Sequence, residues 1–128
     1  MIISVKHQGD FKNLEKFLKN NKDQKTTFRN TLNRYGRRGV ALLKDSTPKD
    51  TGKTSESWTY TVSVTNNGFS LEWTNTNTTD SGIPIVILLQ YGHATGSGGY
   101  VTGRDFINPA MQPLFDELAE ELWEEVNK

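Results

Sequence analysis

Three stretches of the chain combine residue types that perform chemistry in other proteins. Asp50-Thr51-Gly52 is the tripeptide in which aspartic proteases hold one carboxyl of a proton-sharing pair. Sharing a proton requires burial, yet Lys49 and Lys53 flank this Asp and no apolar strand leads into it. Gly52-Lys53-Thr54 matches the end of a phosphate-binding loop, where backbone amides cradle phosphate between a strand and a helix. That loop needs a glycine five positions before Gly52. Thr47 stands there, and the pattern puts a helix before the triplet and a strand after it. Both matches read as accidental, and no catalytic residue is assigned.

What remains is the chemistry of charge and contact. His7 and His93 are the only histidines, neither has carboxylates at ligand spacing, and cysteine is absent, so neither a metal nor another cofactor is expected. Arg34, Arg37 and Arg38, with Tyr35 among them, suit contact with phosphates while the aromatic ring stacks on a base. The same run describes a solvated helix face equally well. His93, Thr95 and Tyr100 lie in a glycine-rich stretch, with Arg104 just beyond it. Together with the three arginines they are the candidate contacts with a partner or a second copy.

Length and pattern set the elements that must position these residues. A chain of 128 residues fits one domain and can bury a core without disulfides. No apolar run reaches the roughly 18 residues that cross a bilayer, and no secretion signal is recognisable, so a soluble protein made in a cytoplasm is expected. The net charge of zero is unevenly divided: residues 1–54 carry 13 Lys or Arg against 5 Asp or Glu, residues 55–128 carry 2 against 10. Opposed halves suit a nucleic-acid face, copies stacked head to tail, or two solvated helix faces of opposite sign.

Along the chain, Ile3 and Val5 alternate with polar neighbours in a short strand over 2–6, and Asp10 caps a helix with Phe11, Leu14, Phe17 and Leu18 on one face. A longer helix over 26–44 places Phe28, Leu32, Tyr35, Val40 and Leu43 inward and most of its basic residues outward. Gly36 and Gly39 inside it cost about 1 kcal/mol each relative to Ala, which close approach of another backbone would offset. Pro48 ends the helix. Trp58, Tyr60, Val62 and Val64 alternate with Thr and Ser, Asn66-Asn67-Gly68 turns the chain, and Phe69, Leu71 and Trp73 complete a hairpin that the long helix must cover.

Residues 75–82 read as an exposed connection, and Pro84, at a first helical position, opens a short helix over 85–89. Residues 92–103, with five glycines, read as a long mobile loop. Asn108 as N-cap and Pro109 at the first helical position start a last helix, whose stripe is Met111, Leu114, Phe115, Leu118, Leu122, Trp123 and Val126. The expected fold class is α+β: a small antiparallel sheet built on the hairpin, packed against the long helix and a C-terminal amphipathic helix.

Three segments punctuate these elements. Thr47-Pro48-Lys49-Asp50-Thr51-Gly52, followed by Ser57, joins the long helix to the hairpin; Leu88-Leu89-Gln90-Tyr91-Gly92 ends the short apolar segment; Arg104-Asp105-Phe106-Ile107-Asn108-Pro109-Ala110 leads into the last helix. In order and spacing, over residues 26–128, the set resembles the tail-completion or neck proteins of long-tailed bacteriophages, similar to the gene-ten products of lambda-like phages. Thr54 stands where that family commonly has an apolar residue, Gln90 where it has an acid and Asp105 where proline is frequent.

The resemblance implies a non-enzymatic structural assembly protein at the head-tail junction of a virion. It would act in a ring, often six-fold, with other connector and tail proteins as partners, DNA only in transit, no membrane and no cofactor. A tail terminator at the same junction, or a small nucleic-acid-binding regulator using helix 26–44, are the alternatives. Pro48, Thr51, Gly52, Tyr91, Gly92, Phe106 and Pro109 form the structural signature. Read without the family, Thr51-Gly52 turns the chain from helix into hairpin, and Tyr91-Gly92 ends an apolar segment where positive φ is required.

Overall fold

A computed structural model describes residues 2–8, 22–48, 52–65, 68–94, 98–103 and 105–126. Strand β1 (Ile2–Gln8) is followed by the long helix α1 (Lys22–Ser46), a 3-10 turn at Ser55–Ser57, and the hairpin β2 (Trp58–Thr65) and β3 (Gly68–Asn75). Then come the short helix α2 (Ile85–Tyr91), strands β4 (Gly92–Ala94) and β5 (Tyr100–Thr102), and the last helix α3 (Ile107–Val126). The helix expected from Asp10 lies outside the described residues.

The fold is α+β. Its main sheet is antiparallel in the order β1-β3-β2, so the first strand pairs with the returning arm of the hairpin. The register sets Tyr60 and Ile3 on either side of Trp73, and Val62 opposite Leu71. One face of this sheet, led by Trp58, Val64, Leu71 and Trp73, packs on α1 and α3, whose Phe28, Leu32, Leu43, Met111, Leu114 and Leu118 complete the core. Phe28 meets Phe69 edge to face with ring centroids 5.3 Å apart, and Trp73 meets Phe115 at 6.1 Å.

Gly36 and Gly39 are explained by side chains rather than by a neighbouring backbone. A Cβ on Gly36 would overlap the Tyr60 ring, and one on Gly39 would overlap the Trp73 indole. The bare helix surface lets both rings lie flush against it, and the Trp73 indole N–H donates to Gly36 O at 2.9 Å. The helix begins four residues earlier than its apolar pattern indicated, at Lys22. Its C-terminal end is tied down where Thr47 Oγ1 donates to Leu43 O and accepts from the Trp58 indole at 2.8 Å.

Four local expectations are corrected. The connection after β3 is not wholly exposed: Asn75 and Asn77 are buried, and their amides donate to Thr54 O and Thr54 Oγ1, each at 2.8 Å. Residues 92–103 are not without regular structure, because β4 and β5 pair antiparallel as Gly92 with Thr102, His93 with Val101 and Ala94 with Tyr100. Pro84 precedes α2 and bridges to Thr78 instead of occupying a helical position. Trp123 leaves the inward stripe of α3 and is 62% exposed, since Leu118 and Leu122 already fill the inner face at that level.

Candidate functional site

Helices α1 and α3 lie antiparallel, and the charged residues of both meet along their seam. Thr31 donates to Glu125 Oε1 at 2.7 Å, Tyr35 donates its hydroxyl to Glu121 Oε2 at 2.5 Å, Arg34 pairs with the other Glu121 oxygen, and Arg38 pairs with Glu117 at 2.8 Å. Arg34 and Arg38 also lie over the Tyr35 ring, 5.2 and 4.9 Å from its centroid. Acidic residues four apart on α3 thus face a Thr, a Tyr and two Arg spaced by three or four on α1. Those spacings were visible in the sequence; that the two rows face each other was not.

The seam shifts the titration of its members. Burial, then the hydrogen bond to Glu121, raises the Tyr35 hydroxyl above its ordinary value. The Tyr35 hydrogen bond first, and Arg34 after it, hold the Glu121 carboxyl below the carboxylate range against the opposing effect of burial. The hydrogen bond to Glu117 raises Arg38 further. Two of the three arginines proposed as a phosphate face are therefore committed within the chain. Arg37 is exposed and has no acidic partner among the described residues.

The three signature segments are joints between elements. Gly52 has φ +83°, a conformation glycine adopts without strain, and it starts the turn that leads through Ser55–Ser57 into β2. Asp50 and Thr51 lie outside the described residues. Thr54 is buried with its hydroxyl occupied by Asn77, so this segment does not open toward a phosphate. Pro48 follows α1 and is half-buried.

The second and third segments form one joint. The buried Gln90 donates its amide N–H to Asp105 Oδ1 at 2.7 Å, while its Oε1 accepts the backbone N–H groups of Phe106 and Ile107 at 3.1 and 3.3 Å. Asp105 accepts the backbone N–H of Asn108 at 3.2 Å and also its side-chain amide. Capping of α3 thus falls to Asp105 and Gln90 rather than to Asn108, and Pro109 sits two residues inside the helix. Hydrogen bonds from Gln90 and then Asn108 lower the Asp105 carboxyl. Gln90 and Asp105, two of the three positions at which the chain departs from the pattern it resembles, are partners.

Tyr91 closes α2 and is 64% exposed, and Gly92 begins β4; the positive-φ glycines among the described residues are Gly52, Gly82 and Gly98. Phe106 is buried in the core and Pro109 is exposed. His93 and Tyr100 lie on the paired strands β4 and β5, His93 opposite Val101 and Tyr100 opposite Ala94, so the register does not pair them with each other, whereas Thr95 and Arg104 lie outside the described residues. No three metal-ligating side chains converge among the described residues. No helix among them is long and apolar enough to cross a membrane. Comparison with known proteins finds no matching family model, no matching curated protein and no matching solved structure.

Proposed function

We propose that this chain is a non-enzymatic structural assembly protein of a long-tailed phage, placed at the head-tail junction as a tail-completion or neck component and acting in a ring with connector and tail proteins. The observation that carries this reading is the ordered set of three segments around the hairpin, each of which lies at a joint between elements. Gly52 starts the turn from α1 toward the hairpin, while Gln90 and Asp105 link the end of α2 to the start of α3. An assembly component needs such fixed joints and exposed surface, not a reactive centre. Exposed apolar side chains at Ile83, Tyr91 and Trp123 would supply part of the contact surface.

The reading is tested by mass spectrometry of purified particles and by electron microscopy of particles from a phage lacking the gene. The protein is expected in virions, and its loss should leave filled heads and tails unjoined. Its absence from virions, with normal particles in its absence, would remove the reading. A density map of the neck would separate a completion ring from a tail terminator. The nucleic-acid regulator is less well supported, because Arg34 and Arg38 are neutralised by Glu121 and Glu117.

A further inference from the structure

Among the described residues the sheet ends in an open edge: strand β2 has β3 on one side and no described strand on the other. The Thr76 N–H bond to Ser57 O sets the parity of the ladder, so Ser57, Thr59, Thr61 and Ser63 turn their backbone groups toward β3. The N–H and C=O groups of Trp58, Tyr60, Val62 and Val64 therefore point to the free edge. Arg29 reaches Val64 O at 3.4 Å, in agreement with that parity. No hydrogen bond among the described residues reaches the edge-facing backbone of Tyr60 or Val62.

Open edges are ordinarily guarded by charges, prolines or bulges. Between Trp58 and Thr65 this strand has no charged residue, no proline and an unbroken register. Its side chains are also incompletely covered. Trp58 and Val64 are buried at the ends, whereas Tyr60 and Val62 in the middle are only half-buried, and Thr59, Thr61 and Ser63 are exposed.

We propose that the β2 edge is an interface with a second copy of this chain, the two β2 strands pairing antiparallel about Thr61. The argument for a second copy is that the strand complements itself. Reversed about Thr61, it sets Tyr60 against Val62 and Trp58 against Val64 on the inner face, and Thr61 against Thr61 and Thr59 against Ser63 on the outer one. No charge opposes another along it, and aromatic with β-branched and hydroxyl with hydroxyl are favourable cross-strand pairs. The two half-buried side chains would cover each other. The reversal also keeps the parity, since Tyr60 and Val62 of one copy exchange backbone bonds with Val62 and Tyr60 of the other. The product is a two-fold dimer with a continuous six-stranded sheet and both α1 helices on one face. It does not rest on the virion reading.

Sedimentation of the full chain over a concentration series tests the interface, with circular dichroism to check folding. The wild type is expected to pass from monomer to dimer mass. Thr59→Lys combined with Ser63→Lys sets like charges opposite each other twice, beside the neutral Thr74 and Ser70 of β3, and should weaken association about tenfold or more. Thr59→Glu combined with Ser63→Glu should do the same. A one-to-one mixture of the two variants should recover dimers, because Lys then faces Glu. A wild type that stays monomeric to its solubility limit overturns the proposal, as does a mixture no more associated than either variant alone. So does a larger oligomer indifferent to these substitutions, a result that would leave the virion reading standing.

Discussion

A methyl group on Gly39 has no room, because the Trp73 indole occupies its place, and the same indole is fixed by its bond to Gly36 O. Gly39→Ala is therefore expected to destabilise the protein by about 1–3 kcal/mol even though Ala is the better helix former. A thermal melt that showed no loss would mean that α1 and the sheet can separate at no cost. Tyr35 and Glu121 give a pH-dependent counterpart. Glu121, with its lowered pKa, contributes stability above the ordinary carboxylate value and loses it as pH falls through the lowered one. Tyr35, with its raised pKa, contributes below the ordinary tyrosine value and loses it as pH rises through the raised one. Their bond thus acts across neutral pH and fails at both ends. Tyr35→Phe should cost about 1 kcal/mol near neutrality, discounted for partial exposure, and the difference from wild type should shrink in acid and in alkali. Urea titrations across pH check this; a constant difference contradicts it.

At the scale of elements, the joint between α2 and α3 shows how two unusual residues explain each other. Gln90 can donate to Asp105 and accept from Phe106 and Ile107 at once because an amide is donor and acceptor together. A carboxylate in its place would still accept from the helix start but would face Asp105 with like charge. Gln90→Glu should lower the melting temperature, and Asp105→Asn added to it should restore most of the loss by supplying the missing donor. If the double variant were no better than the single one, the contact between the two side chains would not be what matters. The pattern of the sequence located this joint through Tyr91-Gly92 and Phe106-Pro109, yet assigned the cap to Asn108. Two nearby polar residues compete for that role, and only the placement of Gln90 from α2 favours Asp105. The glycine-rich stretch was misjudged for a related reason: three-residue strands carry too short an alternation to be seen, and β4 with β5 exists by mutual pairing.

Across the whole molecule, two basic residues of the first half, Arg34 and Arg38, meet acidic residues of the second, Glu121 and Glu117, in the seam between α1 and α3. The pairs are half-exposed, so Arg38→Gln alone should cost less than about 1 kcal/mol. Reversing both arginines, Arg34→Glu with Arg38→Glu, should be clearly worse, because five carboxylates would then line one seam. Adding Glu117→Arg and Glu121→Arg should recover stability beyond the sum of the separate effects. Additive effects in denaturant melts would show that the seam is not a unit.

Pattern alone determined the hairpin, the two main amphipathic helices and the α+β class, because strict period-two alternation and a long 3.6-residue stripe each admit one way of burying an apolar face. The proline after α1 and the glycine at the following turn were equally legible, since their backbone limits act locally. Tertiary structure decided what depends on which surfaces meet. It placed β1 beside β3, turned Gly36 and Gly39 into seats for two aromatic rings, buried Asn75 and Asn77 against Thr54, and set Arg34 and Arg38 of α1 against Glu121 and Glu117 of α3. It also showed that the polar outer face and half-covered apolar face of β2 share an edge that no described strand covers. Each of these is a contact between residues far apart in the chain, and local pattern carries no information about distance across a fold.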